Sequence, residues 1–415
     1  MSEKEYPLKG VNVVEMATFI AVPCAGRLLA DLGANVIKIE SAKGDNLRFT
    51  APSEGRPFDQ QENTSFDMEN ANKKGIVLDL RTDKGKEVLY KLLDKADIFL
   101  TNWRPQALAR QNLTYVDLKE KYPSLVYGNI TGYGEVGPDK DLPGFDFTAF
   151  FARGGWSGSL YNKGTVPPNW IPGLGDHQAA MILAAGVLAA LYRAKTTGVG
   201  DKVSTNLLHS AIFMQQMLIV ASQYGTEFGG QKYPMDRRTA ALPTQTPFKT
   251  KDDRFIQVMT PNYDLYYNKL VTAMDRSDLV DDPVLGNLPA ASKAGRVTEI
   301  YDIFTEGFAS KTAEEWKKLL QDADIPFSVC QTWDEVLADE QAWEIGAFKK
   351  MEYPRGTKAL VCPPITLEHT KEAPYEKGPR LGEHTEEVLA DLGYSDDEIK
   401  KMLEENVASG LVEGF

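Results

Sequence analysis

Cysteine is scarce in this chain of 415 residues, and Cys24, Cys330 and Cys362 lie far apart with no CxxC spacing. An odd, scattered set argues against a disulfide framework and suits reduced thiols in a cytoplasmic protein. Histidine is equally thin. His177, His209, His369 and His384 show no HExxH or other ligand spacing, so no metal is expected. His209, in a mostly apolar stretch, reads as a core or interface histidine. Positive charge is short as well: 46 Lys and Arg against 59 Asp and Glu leave a net charge of −13, which argues against a nucleic-acid partner. With no GxSxG elbow and no Walker A loop, the common hydrolase and kinase plans fall away. The N-terminal MSEKEYPLKG has no basic stretch ahead of an apolar core, so no signal peptide is expected. The most apolar segment, 178–192, is uncharged but shorter than the roughly 18 residues of a membrane span, so a core helix and no membrane partner are expected.

What is present alternates strand and helix. GVNVVEM, ANVIKIE, DIFLTN, SLVYGNIT and DKVSTNLL read as strands. Between them, CAGRLLADLG, DKGKEVLYKLLDKA and a long helix from His177 read as helices, which predicts βαβ units and a parallel Rossmann-like sheet. SAIFMQQMLIVASQYG follows as one apolar helix, and Gly225–Gly230 reads as a boundary. Beyond it come the strand RFIQVMT, acidic loops and two charged helices, a smaller α+β domain. The expected division is a large domain over 1–225, a small one over 226–330, and a linker with C-terminal helices, broken at Gly393, over 331–415 returning to the large domain.

GYGEVG (132–137) matches the GxGxxG dinucleotide fingerprint. That fingerprint needs its last glycine to open a helix, and Pro138 follows here at once, so the segment reads as a loop. What remains are carboxylates. Asp176, in PGLGDHQAAM, sits where the long helix must begin. As a cap it would accept from first-turn amides, a contribution of about 0.5–2 kcal/mol. The same amides and the helix dipole favour its ionised form, a competent nucleophile for an acyl group. Position does not separate the two readings. Asp146, in LPGFDFTAFFARGG, is either a cap for FTAFFA or a second acid that assists Asp176.

Together the blocks GANVIKIE (33–40), NANKKGIVLDL (70–80), ADIFLTNWRP (96–105), PGFD (143–146), GLGDHQAA (173–180) and LGEHTEEVLADLGY (381–394) resemble, in order and over nearly the whole chain, the family III (CaiB/BaiF-type) CoA-transferases. ITGYGEVGPDKDLPGFD is most similar to the branch acting on phenyllactate and other 2-hydroxyacids. The resemblance implies CoA transfer from an acyl-CoA of the cinnamoyl-CoA type to an (R)-2-hydroxyacid during amino-acid fermentation. It also implies an interlocked homodimer and a nucleophile at Asp176 that forms an aspartyl anhydride and then an aspartyl-CoA thioester. Coenzyme A contacts carry over onto Phe19, Ile20, Ala21, Asn72, Lys73, Asn102, Trp103, Ala107 and Arg110, with Lys73, Lys74, Arg104 and Arg110 as a basic cluster for its anionic tail. Alternatives are another acid (2-hydroxyisocaproate, carnitine, formate or oxalate), a non-catalytic CoA-binding protein, or a dinucleotide oxidoreductase.

Two departures from the family pattern stand out. Ser41 replaces an arginine of the formyl-CoA branch, which leaves Lys43 or Arg48 to meet a phosphate. The tetraglycine loop of that branch has no counterpart after residue 240; DRRTAALPTQTPF occupies the region, and Arg237 or Arg238 there is either a substrate-carboxylate contact or part of a solvated loop.

Overall fold

The computed structural model describes residues 5–224, 231–373 and 375–413. The boundary expected at Gly225–Gly230 lies outside the described residues. The chain forms two compact units, one of Met1–Gly154, Trp170–Met214 and Glu340–Phe415, the other of Gly155–Asn169 and Gln215–Asp339. The second unit therefore differs from the expected 226–330: it takes a segment from inside the first half and runs on past residue 330.

The first unit is built on strands β1 (Asn12–Met16), β2 (Asn35–Glu40), β3 (Lys74–Leu78), β4 (Ile98–Thr101), β5 (Val126–Thr131) and β6 (Lys202–Asn206). They lie in the order β3-β2-β1-β4-β5-β6, all parallel, and Ala408–Ser409 adds an antiparallel edge beside β3. Val13, Val14 and Met16, like Ile98, Phe99 and Leu100, are fully buried. Such continuous apolar runs are what a parallel sheet covered on both faces requires. The order reverses at β1, so a crevice opens beyond the carboxyl ends of β1 and β4, the usual ligand position in such sheets.

Helix Asp83–Leu93 starts where Thr82 accepts from the Gly85 amide, and it buries Val88, Leu89, Leu92 and Leu93 at helical spacing. Helix Leu174–Thr197 begins earlier than the expected His177. By length and composition it could cross a membrane. In the fold it is a core helix, with Ala179, Ala180, Leu183, Val187 and Leu191 buried as it lies along β5, β6 and helix Ala21–Asp31.

Several elements differ from the sequence reading. SAIFMQQMLIVASQYG is not one helix: it divides into Leu207–Met214 and Gln216–Ala221, and the first begins directly at the end of β6. His209 is exposed, not in the core. β3 lies in a segment the periodicity left without a strand. In the second unit, Phe248–Lys249, Phe255–Val258 and Phe327–Val329 form an antiparallel sheet, and its core holds Phe304, Phe308 and Trp316. Arg237 donates to Thr246 and Pro247 and Arg238 pairs with Asp302, so both have partners within that unit.

Candidate active site

The loop after β1 is tied from two sides. The Thr18 amide donates to Asn102 Oδ1 at 3.0 Å, and Asn102 Nδ2 donates back to the Thr18 carbonyl at 2.7 Å, stapling the loops that follow β1 and β4. Phe19 has a φ of +62°, a left-handed conformation that costs an L-residue about 1–2 kcal/mol. Its amide donates to Asp45 Oδ1 at 2.9 Å. Asp45 is in turn held by Lys38 at 3.0 Å, and Lys38 reaches Glu15 at 3.2 Å, all three buried.

Glu15 also binds Lys73 at 2.8 Å, and here the sequence reading fails. Lys73 Nζ is wholly buried and donates to Glu15, the Pro23 carbonyl and Asn70, so it stabilises the core and has no surface for CoA. Asn72 donates to Asp31 and accepts from the Glu376 amide, and it too lies outside the cavity. Arg48 is spent on Glu40, at 2.9 and 2.7 Å, and on the Pro379 carbonyl, and so is not free for a phosphate. Lys43 is exposed and does not line the cavity. Lys74 pairs with Glu387 at 2.7 Å.

The crevice holds a cavity of about 630 Å³. Phe19, Ile20, Ala21, Asn102, Trp103, Ala107 and Arg110, which the resemblance offers as CoA contacts, line it together with Asp176. Arg104 and Lys140 join Arg110 on its wall, all three exposed. Lys140 was missed; its only sequence signal is its place in the loop GPDKD. That loop confirms the reading of GYGEVG: Gly134 and Gly137 have positive φ, and no helix follows.

Asp146 is not on the cavity wall, yet it touches the start of helix Leu174–Thr197. Its Oδ1 accepts from the Gly175 amide at 3.2 Å. A Cβ at Gly175 would sit 2.5 Å from that oxygen and 2.3 Å from the Phe150 ring, so only glycine admits this approach. Asp146 therefore caps neither its own turn, which begins at Phe145, nor any neighbour in sequence; it satisfies the helix that carries Asp176. Asp176 itself, third in that helix, makes no cap hydrogen bond. The Gly175 amide is thereby engaged by Asp146.

The electrostatics also correct the expectation of a carboxylate kept ionised by the helix start. Burial pushes Asp176 up to about 7, the Asp146 charge adds to this, and His177 opposes it. Burial likewise raises Asp146 to about 6 against the pull of the Gly173 and Gly175 amides. Asp146 Oδ2 is buried without a partner. Beside them, His177 Nε2 meets Glu69 Oε1 at 2.8 Å; burial works against the imidazolium, but Glu69 raises its pKa overall. Cys24, Glu69 and His177 bring ligand atoms within 4.8 Å of one another, a metal-capable set that the sequence spacing does not reveal. His177 bonds Glu69 Oε1, the Cys24 thiol lies against the same carboxylate, and Glu69 Oε2 is buried without a hydrogen-bond partner. The Cys24 thiol is pushed well up by burial and by Glu69, which disfavours its thiolate.

An acid on the cavity wall that holds its charge weakly, Asp176, with basic side chains on the same wall, suits acyl transfer from a polyanionic carrier. Residues 8–385 match the family model CoA-transferase family III. The chain is 54% identical over 394 residues to the cinnamoyl-CoA:phenyllactate CoA-transferase of Clostridium sporogenes, covering 95% of each. It is 41% identical to the (R)-2-hydroxy-4-methylpentanoate CoA-transferase of Clostridioides difficile, covering 96% of this chain and 99% of that one. Among solved structures, a CaiB/BaiF family protein from Brucella suis superposes with a TM-score of 0.75 at 25% identity, over 94% of this chain and 100% of the other. Fold, site and comparisons agree: the chain is an enzyme belonging to CoA-transferase family III.

Proposed function

We propose that this enzyme moves CoA from an acyl-CoA to an aromatic (R)-2-hydroxyacid of the phenyllactate kind, with Asp176 as nucleophile. The observation that carries the reading is one cavity shared by Asp176 and the CoA-type wall of Trp103, Ala107 and Arg110. The Asp176 carboxylate attacks the thioester carbonyl and expels CoA thiolate, leaving a mixed anhydride. The thiolate attacks the aspartyl carbonyl and releases the first acid, leaving an aspartyl-CoA thioester. The incoming acid reverses both steps, so one difficult exchange becomes several acyl transfers. Asp146 holds the helix start and, when ionised, adds its charge to the burial that raises Asp176. Helix Ala21–Asp31 opens on the cavity at Ile20 and Ala21, and its positive end faces the developing oxyanion. Trp103 lies along the adenine or its ribose, and Arg110, with Arg104 and Lys140, meets the phosphates.

The choice of acid rests on the Clostridium sporogenes relative; the 41% relative favours a branched aliphatic acid as the second reading. A panel of (R)-phenyllactate, (R)-2-hydroxyisocaproate, carnitine, formate and oxalate with one CoA donor tests it. Highest kcat/KM is expected for phenyllactate, and use of oxalate alone would contradict the reading. The enzyme works in the cytoplasm as an interlocked homodimer, without metal, membrane or nucleic acid. Met181, Tyr192, Ile212 and Phe213, 40–75% exposed on helices Leu174–Thr197 and Leu207–Met214, support a covered face. Light scattering should give twice the chain mass of 46.0 kDa, and a monomer mass would contradict the dimer.

A further inference from the structure

Two phenyl rings of the cavity lining meet beside the start of helix Leu174–Thr197. Phe19 and Phe145 stand edge to face, with ring centroids 5.9 Å apart and planes at 88°. Phe145 directly precedes Asp146, whose carboxylate holds the Gly175 amide beside Asp176. Ile20 reaches the same point: its Cδ1 lies 3.0 Å from where a Gly173 Cβ would stand. Arg110, on helix Pro105–Gln111, and Arg104 just before it belong to another segment, whereas Lys140 opens the loop that carries Leu142 and Phe145.

Two features mark this cluster as built. Phe19 keeps a left-handed backbone, held there by Asp45 and by the Thr18–Asn102 staple. Strain maintained by surrounding bonds is typical of sites where a side chain must be aimed. Phe145, by contrast, is 57% exposed, and Leu142 beside it in the lining is 50% exposed. An exposed phenyl ring next to a buried carboxyl has no role in the core; it offers an open aromatic face on the cavity where the acyl group must sit.

We infer that Phe19 and Phe145 form an aromatic subsite for the acyl group, so that these two rings, and not the CoA wall, select an aryl-substituted acid. This assigns Phe19 to the acyl group instead of to CoA, and it rests on the transferase reading above. An aryl ring of the substrate stacks on the open Phe145 face, with Ile20 and Leu142 closing the sides.

The test compares the unaltered enzyme with Phe145→Ala and Phe145→Leu, using (R)-phenyllactate and (R)-2-hydroxyisocaproate with the same acyl-CoA. Phe145→Ala should lower the ratio of kcat/KM for the aromatic over the aliphatic acid by about tenfold, and Phe145→Leu, which keeps bulk without a ring, by less. The common donor is acetyl-CoA, whose acyl group carries no ring, so its KM serves as the readout for CoA binding and should not follow that ratio. An unchanged ratio in Phe145→Ala, or full selectivity in Phe145→Leu, would overturn the inference while leaving the transferase reading intact. Absence of transfer to any acid by the unaltered enzyme would overturn both.

Discussion

At Asp176, burial and the Asp146 charge outweigh the helix start, and its carboxyl is pushed up to about 7. Only the ionised form attacks a thioester, so single-turnover thiol release should rise with pH, half-maximal near pH 7. Asp146→Asn removes a negative neighbour and should move that midpoint down; a midpoint near pH 4 in the unaltered enzyme would contradict the assignment. Stability follows the opposite sense. The folded carboxyl holds its proton above the ordinary value of 3.8, so this stabilising contribution is complete below that pH and is lost as pH rises through about 7. Asp176→Asn should therefore melt at higher temperature than the parent at pH 8, with the gap closing toward pH 4 in calorimetry. Both acids were legible because turn formers precede them at helix starts, Gly175 directly before Asp176 and the Pro143–Gly144 pair just ahead of Asp146. Their proton affinities were not, because burial and a neighbour 30 residues away set them. Lys73 was misread for the same reason: its partner Glu15 lies on β1, and only the sheet brings them together.

Secondary structure was read well where a run of apolar residues was long and flanked by turn formers. β1, β2, β4 and β5 came from such runs, and the helix pair around Gly393 came from its glycine. β3 escaped because its apolar run IVL opens behind Lys73, Lys74 and Gly75 and follows helix Thr64–Asn70 with only a brief turn between. The break at Gln215 has no proline or glycine to announce it. At the start of helix Leu174–Thr197 the sequence shows a glycine but not its purpose, which is room for Asp146 and Phe150. Gly175→Ala should cost about 1–3 kcal/mol by overpacking. It should also cut transfer more than a surface Gly→Ala change such as Gly158→Ala, where an added Cβ meets nothing within 4 Å. Urea unfolding and kcat for the two variants check this.

For the molecule as a whole, the parallel sheet and the reversal of strand order at β1 explain why distant blocks of sequence share one cavity. Residues after β1, after β4, before Asp146 and at the start of helix Leu174–Thr197 all arrive at the carboxyl edge of the sheet. The alternation of strands and helices made that fold legible, while the assignment of Gly155–Asn169 to the second unit was not, since it depends on contacts with residues far along the chain. The central claim is covalent chemistry at Asp176, and mass spectrometry of the protein after incubation with an acyl-CoA and trapping with hydroxylamine or borohydride tests it most directly. The expected result is a mass change confined to the peptide carrying Asp176, absent from Asp176→Ala, which should transfer no CoA. Turnover by Asp176→Ala at the unaltered rate would contradict it.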